Sequence, residues 1–203
     1  MIFTPDELKS MGRRTVELIE SSIEADDKET AKQLSQRMYR EFLSLHDLYR
    51  DWVTALMSFI GRHYGDDVLH EAMKESVAVW IKPLLERYSG KSTRRKVELL
   101  AAGLRAHLQP FDIGEDDEKF TLSGRPCGSG GRLVLEGAYE PPRNFLRIQK
   151  PQPMTFNRPD FPVYCAHCFF QNTLPSELSN EALFITEPAA KLGEEPCRVY
   201  FYK

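Results

Sequence analysis

The chain has 203 residues, of which 41% are hydrophobic and 28% charged, and its formal net charge is −3. This is the composition of a globular protein long enough to bury a real core, and the slight acidic excess argues against a nucleic-acid binder. No apolar run approaches the ~20 residues that span a bilayer, and Met1-Ile2-Phe3-Thr4-Pro5-Asp6-Glu7 has neither the basic start nor the apolar core of a secretory signal, so the cytoplasm is the expected compartment.

The first half reads as helix. Thr4-Pro5-Asp6-Glu7 is a helix start, with Thr4 as cap, Pro5 in the first turn and Glu7 reaching back as a capping box. Leu8, Met11, Leu18, Ile19 and Ile23 follow with helical spacing, and Asp26-Asp27 can cap a second helix. From Glu29 to about Arg62, Leu34, Met38, Phe42, Leu45, Leu48, Tyr49, Trp52, Leu56, Phe59 and Ile60 form one apolar stripe spaced by three and four. Gly65 should end that helix. Asp66 or Asp67 should start a third with Leu69, Met73, Val77, Trp80 and Leu84, which Pro83 should kink or interrupt. A fourth, capped by Ser92, carries Val97, Leu100, Leu104 and Leu108 and stops at Gln109-Pro110.

Residues 111–118 are acidic and read as a connector, dividing a helical region, 1–112, from a β-rich region, 113–203. Strand signals then appear at Phe120–Leu122, Arg132–Leu135, Phe145–Ile148, Val163–Cys165, Leu183–Ile185 and Arg198–Tyr202, with a short helix expected at Leu174–Asn180. The expected fold class is α+β, a helical N-terminal half packed on a smaller β-rich C-terminal half that carries a cysteine cluster.

All four cysteines lie in that second half. Cys165-Ala166-His167-Cys168 holds two; Cys127 follows Pro126 and precedes a glycine-rich loop, and Cys197 follows Pro196. In a reducing compartment four cysteines point to metal or thiol chemistry rather than disulfides. A Cys-x-x-Cys spacing lets two thiolates meet on one ion, and soft thiolates suit zinc or iron. Cys127, Cys165, Cys168 and Cys197 are therefore expected to converge on a metal, zinc first with iron as the other choice, with His167 as a replacement ligand, a neighbour of the ligands or a catalytic group. The single Cys-x-x-Cys lies 37 intervening residues from Cys127 and 28 from Cys197, unlike a common zinc ribbon. Four buried reduced cysteines are the bland alternative. A third is thiol catalysis: in an extended segment Cys165 and His167 share a face, and a base beside Cys165 or Cys168 would lower a thiol from its usual ~8.5.

Other groups are weaker. Gly128-Ser129-Gly130-Gly131 could cradle an anion, but a tight connection between strands is the simpler reading. His63, Asp67 and His70 have ligand-like spacing with Gly65 among them, and read better as exposed polar groups. His46, Asp47, Arg50 and Asp51 read as a solvated face with local ion pairs, or as a place where Arg50 meets a carboxylate. Arg94-Arg95-Lys96 reads as solvated surface. Phe169-Phe170 and Tyr200-Phe201-Tyr202 read as core or as walls of a pocket.

The closing stretch Gly193-Glu194-Glu195-Pro196-Cys197-Arg198-Val199-Tyr200-Phe201, with Tyr164-Cys165-Ala166-His167-Cys168 upstream, resembles the closing motif of the 4-vinyl reductase domains and the related 2-aminothiazoline-4-carboxylate hydrolase-like proteins. The resemblance implies an α+β fold with a ligand pocket, and small-molecule hydrolysis or ligand sensing. The functions expected from the sequence are therefore a zinc-dependent small-molecule hydrolase, a non-catalytic ligand-binding or sensor domain with a structural four-cysteine zinc, or a hydrolase with Cys165 or Cys168 as nucleophile beside His167. The expected partner is a small molecule, with no nucleic acid or membrane, and a homodimer is left open.

Overall fold

A computed structural model describes residues 2–108, 110–124, 126–179 and 183–203. The expected helix stop at Gln109 and the expected helix end at Asn180 lie outside these residues. The chain divides into two compact units, one ending at Tyr49 and the other spanning Arg50–Lys203.

The first unit is helical. Helix α1, Pro5–Met11, carries the capping box: the Thr4 amide donates to the Glu7 carboxylate at 2.7 Å and the Glu7 amide to Thr4 Oγ1 at 3.2 Å. The apolar run read as one helix is two, because Gly12 caps α1 and α2, Thr15–Glu24, starts afresh. Thr15 Oγ1 donates to the Glu41 carboxylate at 2.6 Å. Asp27 accepts from the Thr30 amide at 3.0 Å at the entry to helix α3, Lys28–Tyr88.

Within α3 the expected break falls at Gly65, which has φ +82 and ψ 176, a conformation open to glycine and strained for other residues. Both sides of it are helical. Pro83 stays inside α3. Before Gly65, the second unit buries Arg50, Thr54 and Ser58 of α3, all at most 4% exposed, beside half-buried Met57 and Ile60, which pack on the apolar core. The Thr54 hydroxyl donates to the Arg50 carbonyl, Ser58 to the Thr54 carbonyl, and the Leu146 amide to Ser58 Oγ at 2.9 Å. Arg50 grips Glu136 with both terminal nitrogens, at 2.7 and 3.2 Å, and Arg143 adds contacts from Glu136 to Asp51. After Gly65, the buried face is apolar: Leu69, Met73, Val77 and Ile81 enter a core with Leu133, Phe161, Val163, Phe170 and Leu174.

Helix α4, Thr93–Arg105, is capped by Ser92 Oγ and buries Val97, Leu100 and Ala101. They pack with Tyr88, Leu122, Phe184 and Phe201 over one face of a four-stranded antiparallel sheet. Its order is β1 (Phe111–Glu115), β2 (Lys119–Gly124), β6 (Cys197–Tyr202), β5 (Ile185–Glu187). The acidic stretch read as a connector thus contains a strand, whose residues after Phe111 are exposed. A second pair joins β3 (Arg147–Ile148) to β4 (Phe161–Pro162). The expected strand at Arg132–Leu135 is instead a short helix, α5, Gly130–Leu135, which buries Leu133. The expected strand at Val163–Cys165 is a 3-10 turn, Val163–Ala166, that runs into helix α6, His167–Ser179.

The class is α+β, with a long helical N-terminal part and a small antiparallel sheet in the C-terminal half. Among the described residues, no helix is long and apolar enough to cross a membrane.

Candidate functional site: a pocket lined by four thiols

Three separate segments meet at one pocket in the second unit. Cys127 comes from the turn before α5, Cys165 and Cys168 from the junction of the 3-10 turn with α6, and Cys197 from the start of β6. All four, with His167, line a cavity of about 100 Å³. The rest of its wall is mostly apolar, with Leu104, Leu122, Leu192 and Val199.

Glycines make this approach possible. A β-carbon on Gly130 would lie 2.7 Å from Cys165 Sγ, and one on Gly131 would lie 3.1 Å from Cys127 Cβ. Gly193 has φ +89 and sits against Val134 and the Gly131 carbonyl, which lets the turn before Cys197 close onto α5. Arg158 donates to the carbonyls of Pro188 and Ala189, fixing the segment whose Ala189 amide donates to Cys197 Sγ at 3.4 Å. Asn172 on α6 clamps β5: its side-chain amide donates to the Thr186 carbonyl and accepts from the Thr186 amide.

The electrostatics keep the sulfurs protonated. Burial pushes Cys168 and Cys197 up to about 12, the Ala189 amide only partly offsetting it at Cys197. Cys165 is raised well above the ordinary thiol value by burial, and the other three cysteines push the same way. Cys127 is also raised by burial, although the amides of Gly131, Ser129 and Gly130 donate to its sulfur. Burial lowers His167 and so favours neutral imidazole, against the hydrogen bond from Nδ1 to the Tyr164 carbonyl. Its Nε2 lies 3.8 Å from Cys168 Sγ.

The expected metal centre is overturned. Among the described residues, no three His, Cys, Asp or Glu side chains are grouped so that they could hold a metal ion. The sulfurs share a pocket, but their arrangement is not a ligand shell. Three of the four have other neighbours: amides at Cys127 and Cys197, and the imidazole at Cys168. The zinc-dependent hydrolase and the structural four-cysteine zinc fall together. The extended segment that placed Cys165 and His167 on one face is also absent, because that segment turns into α6.

The remaining candidates lie elsewhere. The His63 ring packs on Phe59 with centroids 4.4 Å apart, and His70 packs on Phe170 at 5.0 Å. Arg94 and Arg95 both bind Glu98.

The polar end of the pocket escaped the sequence. Ser129, 3% exposed, has its Oγ 3.1 Å from His107 Nδ1, and the Tyr164 hydroxyl also bonds the Ser129 side chain. Ser129 lay inside a loop read for its glycines, and His107 is a lone histidine at a helix end. No spacing in the sequence couples them. No family model matches the chain, and neither a curated protein nor a solved structure matches it.

Proposed function

We propose that this protein binds a small, mainly apolar molecule in the thiol-lined pocket, and does so in the cytoplasm, where its four thiols stay reduced. One observation carries the reading: three chain segments close around a single cavity whose wall is apolar carbon and protonated sulfur, with Ser129 and His107 at one side. Buried thiols behave as small apolar groups, so this surface favours hydrocarbon over charge. An apolar cavity of about 150 Å³ takes benzene, so the space here suits a group of that scale or slightly smaller. The ligand is then a short apolar body with one hydroxyl, carbonyl or amine directed at Ser129. The resemblance of residues 193–201 to the 4-vinyl reductase and aminothiazoline hydrolase-like closing motif implies a ligand pocket as well.

Thermal unfolding with benzene and with butan-1-ol as probes tests the reading. A molecule that binds only the folded state raises the melting temperature. The wild type is expected to melt higher with either probe. Cys168→Leu, which adds volume at the wall, is expected to lose the response. A wild-type melting temperature unmoved by both probes would overturn the proposal.

A further inference from the structure

The thiol pocket has a larger neighbour. Between the end of α3, helix α4 and the strands β5 and β6 lies a second cavity of about 480 Å³. That is within the usual size of a small-molecule site, ~300–1,000 Å³. Leu104, His107, Gln171, Thr186 and Val199 line both spaces. A residue that faces two spaces leaves no more than itself between them, so the cavities adjoin.

The outer cavity has a floor and a mouth. Tyr88, Leu100, Phe184 and Thr186 are buried at its floor. Trp80 and Arg87, about two turns apart on α3, are exposed at its mouth. The charge is one-sided. Among the described residues that line the two cavities there is no carboxylate, and Arg87 is the only side chain with a fixed charge.

We infer that this protein binds a linear, medium-chain carboxylic acid lengthwise, its carboxylate at Arg87 and its chain running through the outer cavity into the thiol pocket. An arginine meets a carboxylate with paired N–H donors. Leucine, phenylalanine, valine and buried thiol suit the hydrocarbon that follows. A cationic head group would find no counter-charge on these walls. The inference rests on the thiol pocket taking an apolar body, and it supplies the rest of the molecule.

Isothermal titration calorimetry of the full chain with hexanoate, octanoate, decanoate and octan-1-ol tests it. Affinity in the wild type is expected to rise along the acid series, by up to about fourfold per added methylene. Arg87→Gln is expected to weaken octanoate about threefold, the scale of an exposed ion pair, and to leave octan-1-ol unchanged. Cys168→Leu, which fills the inner end, is expected to weaken decanoate about tenfold, the loss of roughly two buried methylenes. Should that variant not fold, the wild-type series and Arg87→Gln, at an exposed position, decide without it. Equal affinity for hexanoate and decanoate overturns the inference, as does octanoate binding indifferent to Arg87→Gln or decanoate binding indifferent to Cys168→Leu. A wild type that binds none of the acids overturns it as well; if benzene still raises the melting temperature of that sample, the apolar pocket stands without the acid.

Discussion

Gly130 faces the Cys165 sulfur so closely that a β-carbon on it would lie 2.7 Å from Sγ. Gly130→Ala should therefore strain the pocket wall. Overpacking a tight site costs about 1–3 kcal/mol, to be measured by urea unfolding. Because the clash is with one sulfur, Cys165→Ala should relieve it. In the double-mutant cycle, the doubly substituted chain should be more stable than the sum of the single losses allows.

Ser129 links the end of α4 to the turn before α5 through His107. Ser129→Ala removes a hydroxyl at a nearly buried site. The expected loss is about 1–2 kcal/mol, the scale of a buried hydrogen bond with its desolvated partner. Ser129→Thr, which keeps the hydroxyl, should lose less, and equilibrium unfolding of both variants compares them.

The thiols set an alkaline limit. Cys168 and Cys197 are raised to about 12, while an unfolded thiol titrates near ~8.5. Above that unfolded value the unfolded chain releases these protons and the folded chain keeps them, so stability should fall as pH rises. Cys168→Ala should flatten the fall in urea midpoint between roughly pH 8.5 and 10. The native thiols should also react more slowly with Ellman's reagent than those of the unfolded chain.

Glu136 sets an acid limit. Burial alone would raise its carboxyl, but Arg50, then Arg143 and Arg132, outweigh that and hold it below the ordinary value. A depressed carboxyl stabilises the fold fully above its unfolded value of ~4.3, and the contribution is lost as pH falls through the folded value. The stability gap between wild type and Glu136→Gln should thus narrow as pH drops below ~4.3. At neutral pH, Arg50→Met should cost about 2 kcal/mol. That is below the usual 3–5 kcal/mol for breaking a buried pair, because Glu136 is a third exposed. Urea midpoints across pH measure both.

The sequence was informative where one local rule acted alone. The Thr4–Glu7 capping box, the break at Gly65 and the Ser92 cap are all present, because caps and glycine dihedrals are set within a few residues. Strands at Phe120–Leu122 and Arg198–Tyr202 were legible from their aromatic and β-branched runs. Arg132–Leu135 was misread because a short apolar run fits a strand or a buried helix equally well. The metal reading failed differently. Spacing along the chain says which thiols can meet, but ligation depends on the direction of each sulfur, which packing decides. Arg50 was visible as a candidate, yet Glu136, 86 residues on, could not be named from either neighbourhood.

Gly65 also lets one helix answer to two different surroundings. Upstream, oily side chains such as Trp52 look away from the body of the unit; downstream, Leu69 and Ile81 look into it. The single non-helical residue between them resets the phase. Deleting Gly65 would remove that joint, so the two stretches could no longer meet at their present angle, and Leu69, Met73, Val77 and Ile81 would be drawn away from the partners they pack against. An insertion or deletion here should therefore be far less tolerated than a substitution at any of the exposed positions nearby.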